Sequence, residues 1–185
     1  MAKRAIDIIL AVGLLPVAAV LIGLAAIAIR LDSPGPALFV QMRVGRHQKP
    51  FKLLKLRTMR VGTPQAGSHE VAAAQITRVG SVLRHYKIDE LPQIWSVLTG
   101  DMSFVGPRPG LPSQHELSRE RAARGVFAVR PGITGLAQLS GVDMSTPREL
   151  ATLDAVYVQR QSLAFDLRLI IATALGRGAG DAVKT

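Results

Sequence analysis

The stretch from Ile8 to Ile29 constrains this chain more than any other feature: it carries no charge and consists of Ile, Leu, Val and Ala with a few Gly and one Pro. A helix of that length reaches the roughly 20 residues needed to cross the hydrocarbon core of a bilayer. As a cleaved leader it has a basic start at Lys3 and Arg4 and small residues at Ala26 and Ala28, but it exceeds the usual apolar run of about 7 to 15 residues. A spanning helix should show an excess of cations on one flank. Here Lys3 and Arg4 precede the run, while Arg30, Arg43 and Arg46 follow it. Pro16, near the middle, removes a helical N–H and clashes with the preceding turn, which suits a break or kink. A re-entrant helix that dips into the membrane and returns would leave both basic ends on one face. That reading is slightly favoured over a span, because prolines also occur in ordinary spanning helices.

A chain of 185 residues is long enough for one domain with its own core. The net charge of +10 and pI near 11.0 imply an anionic partner: nucleic acid, an acidic membrane surface or a phosphorylated substrate. Aromatic residues are only 4%, which weighs against the stacking platforms of single-stranded nucleic-acid binders but leaves duplex binding open. With no cysteine, disulfides and thiolate metal sites are excluded, and a reducing compartment fits better than a secretory one.

Ser33-Pro34-Gly35-Pro36 ends the apolar helix. Ala37 to Val44 and Phe51 to Thr58 read as the strands of a hairpin around a polar turn containing Gly45. With a period of two, Phe51, Leu53, Lys55 and Arg57 share a face. On pattern alone that is a solvated face. Gly62 to Ala74 reads as a mobile surface loop. Ile76 to Tyr86 and Leu91 to Leu98 have helical spacing, with Asp89 placed to cap the second helix, Pro92 in its first turn and Gly100 closing it. Gly106 to Gly110 and Arg130 to Gly135 read as rigid turns. Arg119, Arg121 and Arg124 lie on a polar helix that suits solvent. Leu163 to Leu175, interrupted by Asp166 and Arg168, suits an interfacial or a core helix rather than a span.

Walker A, dinucleotide-fingerprint, HExxH and Asp-x-Asp motifs are all missing from the sequence. What remains is Asp89-Glu90 at a helix start, in a chain rich in arginines. A carboxylate there stays ionised and available as a nucleophile or metal ligand, although a plain helix cap has the same sequence. Neighbouring helical residues point about 100° apart, so Asp89 and Glu90 cannot form a facing acid pair and must differ in role. Arg108, between Pro107 and Pro109, has a restrained backbone suited to bidentate phosphate recognition; a rigid turn alone would read the same way.

In order and spacing, Lys3-Arg4-x-x-Asp7, Pro16, Ser33-Pro34-Gly35-Pro36, Lys55-Leu56-Arg57-Thr58-Met59, Asp89-Glu90-Leu91-Pro92-Gln93, Gly106-Pro107-Arg108-Pro109 and Arg130-Pro131-Gly132-Ile133-Thr134-Gly135 resemble the monotopic phosphoglycosyl transferases, or bacterial sugar transferases, in their small form with the catalytic domain alone. Leu56 stands where that family usually has Phe, and Gln48 where many members have a second hairpin Gly. The resemblance implies an α/β fold, mainly helical with a short β-hairpin. Residues 1–36 would form a re-entrant membrane helix and exit turn, and residues 37–185 one integrated catalytic domain with interfacial helices, on the cytoplasmic face of the bacterial inner membrane. It implies a UDP-sugar donor, an undecaprenyl phosphate acceptor, Mg²⁺, release of UMP, contact with membrane lipids and no nucleic-acid partner. By the same resemblance Asp89 is the nucleophile and a Mg²⁺ ligand, Glu90 its dyad partner, and Lys55, Arg57, Arg84 and Arg108 hold phosphates, with Arg130 on the nucleotide side. Such an enzyme opens the membrane stage of glycoconjugate assembly, whether polysaccharide, O-antigen or glycoprotein. Two rivals stand beside it: a non-catalytic membrane-anchored basic protein that holds anionic lipid or nucleic acid, and a glycosyltransferase that leaves both phosphates on the departing nucleotide.

Overall fold

The computed structural model describes residues 2–64 and 73–176. Its elements are α1 (Ala2–Asp32), a hairpin of β1 (Leu38–Val44) and β2 (Pro50–Leu56), α2 (Arg78–His85), α3 (Gln93–Thr99), β3 (Ser103–Val105), α4 (His115–Ala123), β4 (Gly132–Thr134), α5 (Leu136–Leu139), α6 (Pro147–Arg160) and α7 (Leu163–Ala174), with short 3-10 turns between. The expected mainly helical composition holds, at 58% helix among the described residues. β1 and β2 pair antiparallel, with Phe39 opposite Lys55 and Gln41 opposite Leu53, while β3 and β4 pair parallel. Part of the expected Gly62–Ala74 loop, residues 65–72, lies outside the described residues.

The apolar run lies within α1, a helix that continues through Pro16, so the expected interruption of helical structure does not occur. At about 1.5 Å per residue it is about 46 Å long. Its buried positions are Asp7, Ala11, Ala18, Ala25 and Ile29, a narrow seam of mostly small residues that lets the body approach closely. Ala11 and Ala18 join Phe51, Leu53, Ile94, Val97 and Met102 in one core, and Ala25 and Ile29 join Leu56 and Leu83 in a second. Both ends are also tied by polar contacts. Asp7 Oδ1 accepts from Ser103 Oγ (3.0 Å) and Phe104 N (3.1 Å), and Lys3 Nζ donates to Asp166 Oδ2 (2.6 Å). At the far end Asp32 Oδ2 accepts from Val79 N (3.2 Å). The opposite face exposes Ile9, Val12, Val17, Val20, Leu24 and Ile27.

Several local readings change. Asp89 does not cap α3, which starts at Gln93 with Pro92 as its cap. Pro92 has no N–H to continue α-helical bonding upstream, so Ile88–Glu90 closes as a separate 3-10 turn, entered through Lys87 at φ 57°. Gly100 does end α3, at φ 93°. The Arg130–Gly135 turn is partly strand β4. There Gly106 and Gly132 pass so close that a methyl on either would strike the other segment's backbone. Arg121 is not solvated: it is 3% exposed and pairs with Asp154 through Nε (2.9 Å), although burial still pushes the Asp154 carboxyl up. Arg119 and Arg124 are exposed as expected. On α7, Asp166 faces inward, accepting from Tyr157 Oη (2.8 Å), while Leu163, Leu167, Ile171 and Leu175 face outward. Burial first, and then the Asp166 and Asp7 charges, push the Tyr157 hydroxyl far above its ordinary range, which keeps it a neutral donor.

Candidate active site

A cavity of about 270 Å³ opens where the inner face of the hairpin meets α2, the Ile88–Glu90 turn and the segment after β2. Asp89 lines it at 5% exposure and is the one carboxylate among the described residues of its wall. Around it stand Arg43, Lys55, Arg57, Arg60 and Arg84. Concentrating cations about one buried acid makes a site for anions.

Each wall residue has a structural cause. Lys55 is on β2, directly opposite Phe39, and its ammonium donates to Glu90 Oε1 at 3.1 Å. The same oxygen receives Arg108 NH2 at 2.7 Å, so Glu90 gathers two cations while Asp89 faces the cavity. The Lys55 and Arg57 face is thus packed and paired rather than solvated, because the β1–β2 hairpin folds it over the Asp89 turn. Arg84 is aimed by α2: Thr77 Oγ1 caps that helix by accepting from Gly80 N (2.9 Å), and Arg84 Nε donates to Thr58 Oγ1 (2.9 Å). Its NH1 is buried without a hydrogen-bond partner.

The Pro-Arg-Pro loop is rigid for more reasons than its prolines. Pro109 O accepts from Arg43 NH1 (3.0 Å), Gly110 O from Val44 N (2.9 Å) and Pro107 O from Gly132 N (2.9 Å). Three bonds from two other segments therefore fix the backbone that presents Arg108 to Glu90.

Of the residues expected from sequence, the fold brings Asp89, Lys55, Arg57 and Arg84 into one cavity and joins Glu90 and Arg108 to it through Lys55. Arg57, however, spends its guanidinium on the exit turn of α1. Nε donates to Pro36 O (2.6 Å), NH1 to Ser33 Oγ (2.9 Å) and NH2 to Ser33 O (2.9 Å). Arg130 does not line the cavity; its Nε donates to Gly100 O (2.6 Å) at the C-terminal end of α3, where Arg4 also binds the Val97 and Leu98 carbonyls. Such cations complement the negative end of a helix. Gln41 and Arg43 were missed as wall residues. Their signal was the period of two along β1, which puts them on the same face as Phe39 and hence opposite Lys55 and Leu53.

The family model described as bacterial sugar transferase matches residues 1–177. A UDP-glucose:undecaprenyl-phosphate glucose-1-phosphate transferase of Caulobacter vibrioides is 43% identical, over 92% of this chain and 67% of its own. The exopolysaccharide production protein PSS of Rhizobium leguminosarum bv. phaseoli is 39% identical, over 96% of this chain and 97% of its own. A UDP-glucose:undecaprenyl-phosphate glucose-1-phosphate transferase of Escherichia coli K12 is 37% identical, over 92% of this chain but 39% of its own. With a matching model over nearly its whole length and a carboxylate set among cations in a built cavity, the chain is a transferase of the bacterial sugar transferase family.

Proposed function

We propose that this enzyme moves a sugar 1-phosphate from a UDP-sugar to undecaprenyl phosphate, releasing UMP, through a covalent phosphosugar on Asp89. The observation that carries the reading is a buried carboxylate facing a cavity walled by Arg43, Lys55 and Arg84. In the first step an Asp89 carboxylate oxygen bonds to the sugar-linked phosphorus, and the bond from that phosphorus to the UMP oxygen breaks, the electron pair leaving with UMP. In the second, an oxygen of the lipid phosphate attacks the same phosphorus and Asp89 departs as a carboxylate. Nearby cations stabilise the charge that builds on the phosphoryl oxygens and the leaving group.

Mg²⁺ suits this donor set. No group of three or more His, Asp or Glu exists among the described residues, and Mg²⁺ typically binds through one or two carboxylates together with substrate phosphates and waters. Asp89 would be its protein ligand, and the ion would supply charge neutralisation at the diphosphate. Glu90, paired with Lys55 and Arg108, sets the position of those cations.

We further propose a monotopic arrangement on the cytoplasmic face of the inner membrane. Both ends of α1 hold the same body, at Ser103 and Asp166 on one side and at Val79 and Arg57 on the other, which supports placing both ends on one side of a bilayer. The exposed apolar face of α1 and the outward Leu163, Leu167 and Ile171 of α7 would then lie in lipid and interface.

The test is a panel of UDP-sugars with undecaprenyl phosphate in detergent, assayed for nucleotide product. UMP supports the reading, whereas UDP would show that both phosphates stay with the nucleotide. With acceptor withheld, wild type should release up to one UMP per active enzyme and gain the mass of a sugar phosphate. Asp89→Asn should do neither. Absence of the adduct together with intersecting bisubstrate kinetics would exclude the covalent route.

A further inference from the structure

Gln41 is the one carboxamide among the described residues of the cavity's wall, whose other neutral polar side chains are the hydroxyls of Thr58 and Thr63. It is 6% exposed, in the middle of β1, and its Oε1 accepts from Arg43 NH2 at 2.6 Å. An arginine nitrogen must meet the amide oxygen, so the orientation of the carboxamide is fixed. Arg43 is itself held by Pro109 O. The Gln41 Nε2 group takes no protein partner, yet it is not among the buried orphaned atoms. It is the end that this residue offers to the cavity it lines. A buried amide whose oxygen is engaged and whose nitrogen has no protein partner, on a residue that lines a cavity, can meet an acceptor there.

The chemistry of that acceptor follows from its neighbours. Anionic phosphates are matched by Arg43, Lys55 and Arg84, which carry charge. A fixed neutral donor instead distinguishes neutral oxygens by position, because an acceptor in the wrong place leaves a buried N–H unpaired. At about 270 Å³ the cavity falls below the roughly 300–1,000 Å³ of sites that enclose a whole small ligand. It therefore takes one end of a nucleotide sugar, and since Asp89 must reach the sugar-linked phosphorus, that end is the sugar phosphate. We infer that Gln41 reads the sugar of the donor, donating from Nε2 to one hydroxyl or carbonyl oxygen of the ring substituents, and so helps to select which UDP-sugar is used. The inference rests on the reaction proposed above.

A substitution cycle tests it. Gln41→Glu keeps the oxygen that holds Arg43 but loses the donors; Gln41→Leu loses both. Each is assayed for UMP release with the best UDP-sugar and with its singly deoxygenated analogues, alongside thermal unfolding. In wild type one deoxy position should cost about 3- to 10-fold in kcat/KM. In Gln41→Glu the same parent and deoxy donors should be used equally, while discrimination at the other positions persists. A purely structural Gln41 would lower stability and activity towards all donors by a common factor, and wild-type discrimination surviving in both variants would overturn the inference. A wild-type enzyme that yields no UMP from any donor would overturn the reaction itself, and the assignment of Gln41 with it.

Discussion

Arg57 Nε lies 2.6 Å from the carbonyl oxygen of Pro36, and the rest of the guanidinium closes on Ser33. The residue that the family pattern offers as a phosphate ligand is therefore a clasp between the cavity wall and the end of the apolar helix. Its burial, at 6% exposure, is compatible with carrying charge only because carbonyl dipoles surround it.

Arg57→Lys keeps the charge but cannot span Pro36 and Ser33 together. It should destabilise the protein by about 2 kcal/mol, from the loss of two or three bonds to a charged group, and lower the thermal midpoint. Acceptor-independent UMP release should survive at temperatures where the variant is folded. A raised donor KM with an unchanged midpoint would instead make Arg57 a phosphate ligand.

Arg108→Lys removes the planar fork that reaches Glu90 from a backbone fixed by three hydrogen bonds. A loss of at least about 10-fold in kcat/KM, about 1.4 kcal/mol, is expected. If the proposed covalent route holds, Glu90→Gln should slow turnover but leave an Asp89 adduct detectable by intact mass, since Glu90 pairs with Lys55 and Arg108. Equal rates for Arg108→Lys and wild type at low donor concentration would rule out the fork.

For topology, single cysteines at residues 2 and 40, both exposed, report on the two ends of α1. In sealed right-side-out vesicles both should resist an impermeant thiol reagent, and both should react after lysis. Reaction of the residue 2 cysteine alone before lysis would establish a spanning helix.

At the hairpin, Gln48 adopts φ 59° and His47 φ 55°, left-handed geometry that costs a side chain about 1–2 kcal/mol. Gly45 is not the strained position; it is needed because a methyl there would press on Lys49 O and the Phe51 ring. Gln48→Gly should therefore stabilise the fold by up to about 1 kcal/mol, offset in part by the greater freedom of glycine when unfolded, with activity unchanged. A lower thermal midpoint would show that the Gln48 side chain contributes more than its backbone costs.

Local chemistry explains what could be read in advance. The hairpin and the Gly100 stop follow from short-range patterns that the fold preserves, whereas the grouping of Asp89 with Lys55 and Arg84 was implied only by the family resemblance, since pattern alone made the Lys55 face a solvated one. Arg57 and Arg130 meet backbone carbonyls in this fold, which sequence could not show, because a guanidinium serves carbonyls as readily as phosphate and only the tertiary path decides which it meets. Arg121 looked solvated because its partner, Asp154, is distant in sequence. Gln41 was hidden because a strand's polar alternation gives no sign of which face closes a cavity until the partner strand is paired.

The seam of alanines along α1 means that this helix is not portable. Its hydrophobicity could be copied by any membrane anchor, but a chimaera carrying such an anchor would insert and still lack the flat strip against which Phe51, Ile94 and Val97 come to rest. The segment carries two faces, an exposed apolar one and a small-residue one against the protein, so exchange of Ala18 for leucine, harmless to a tether, would wedge the catalytic body away from its own floor.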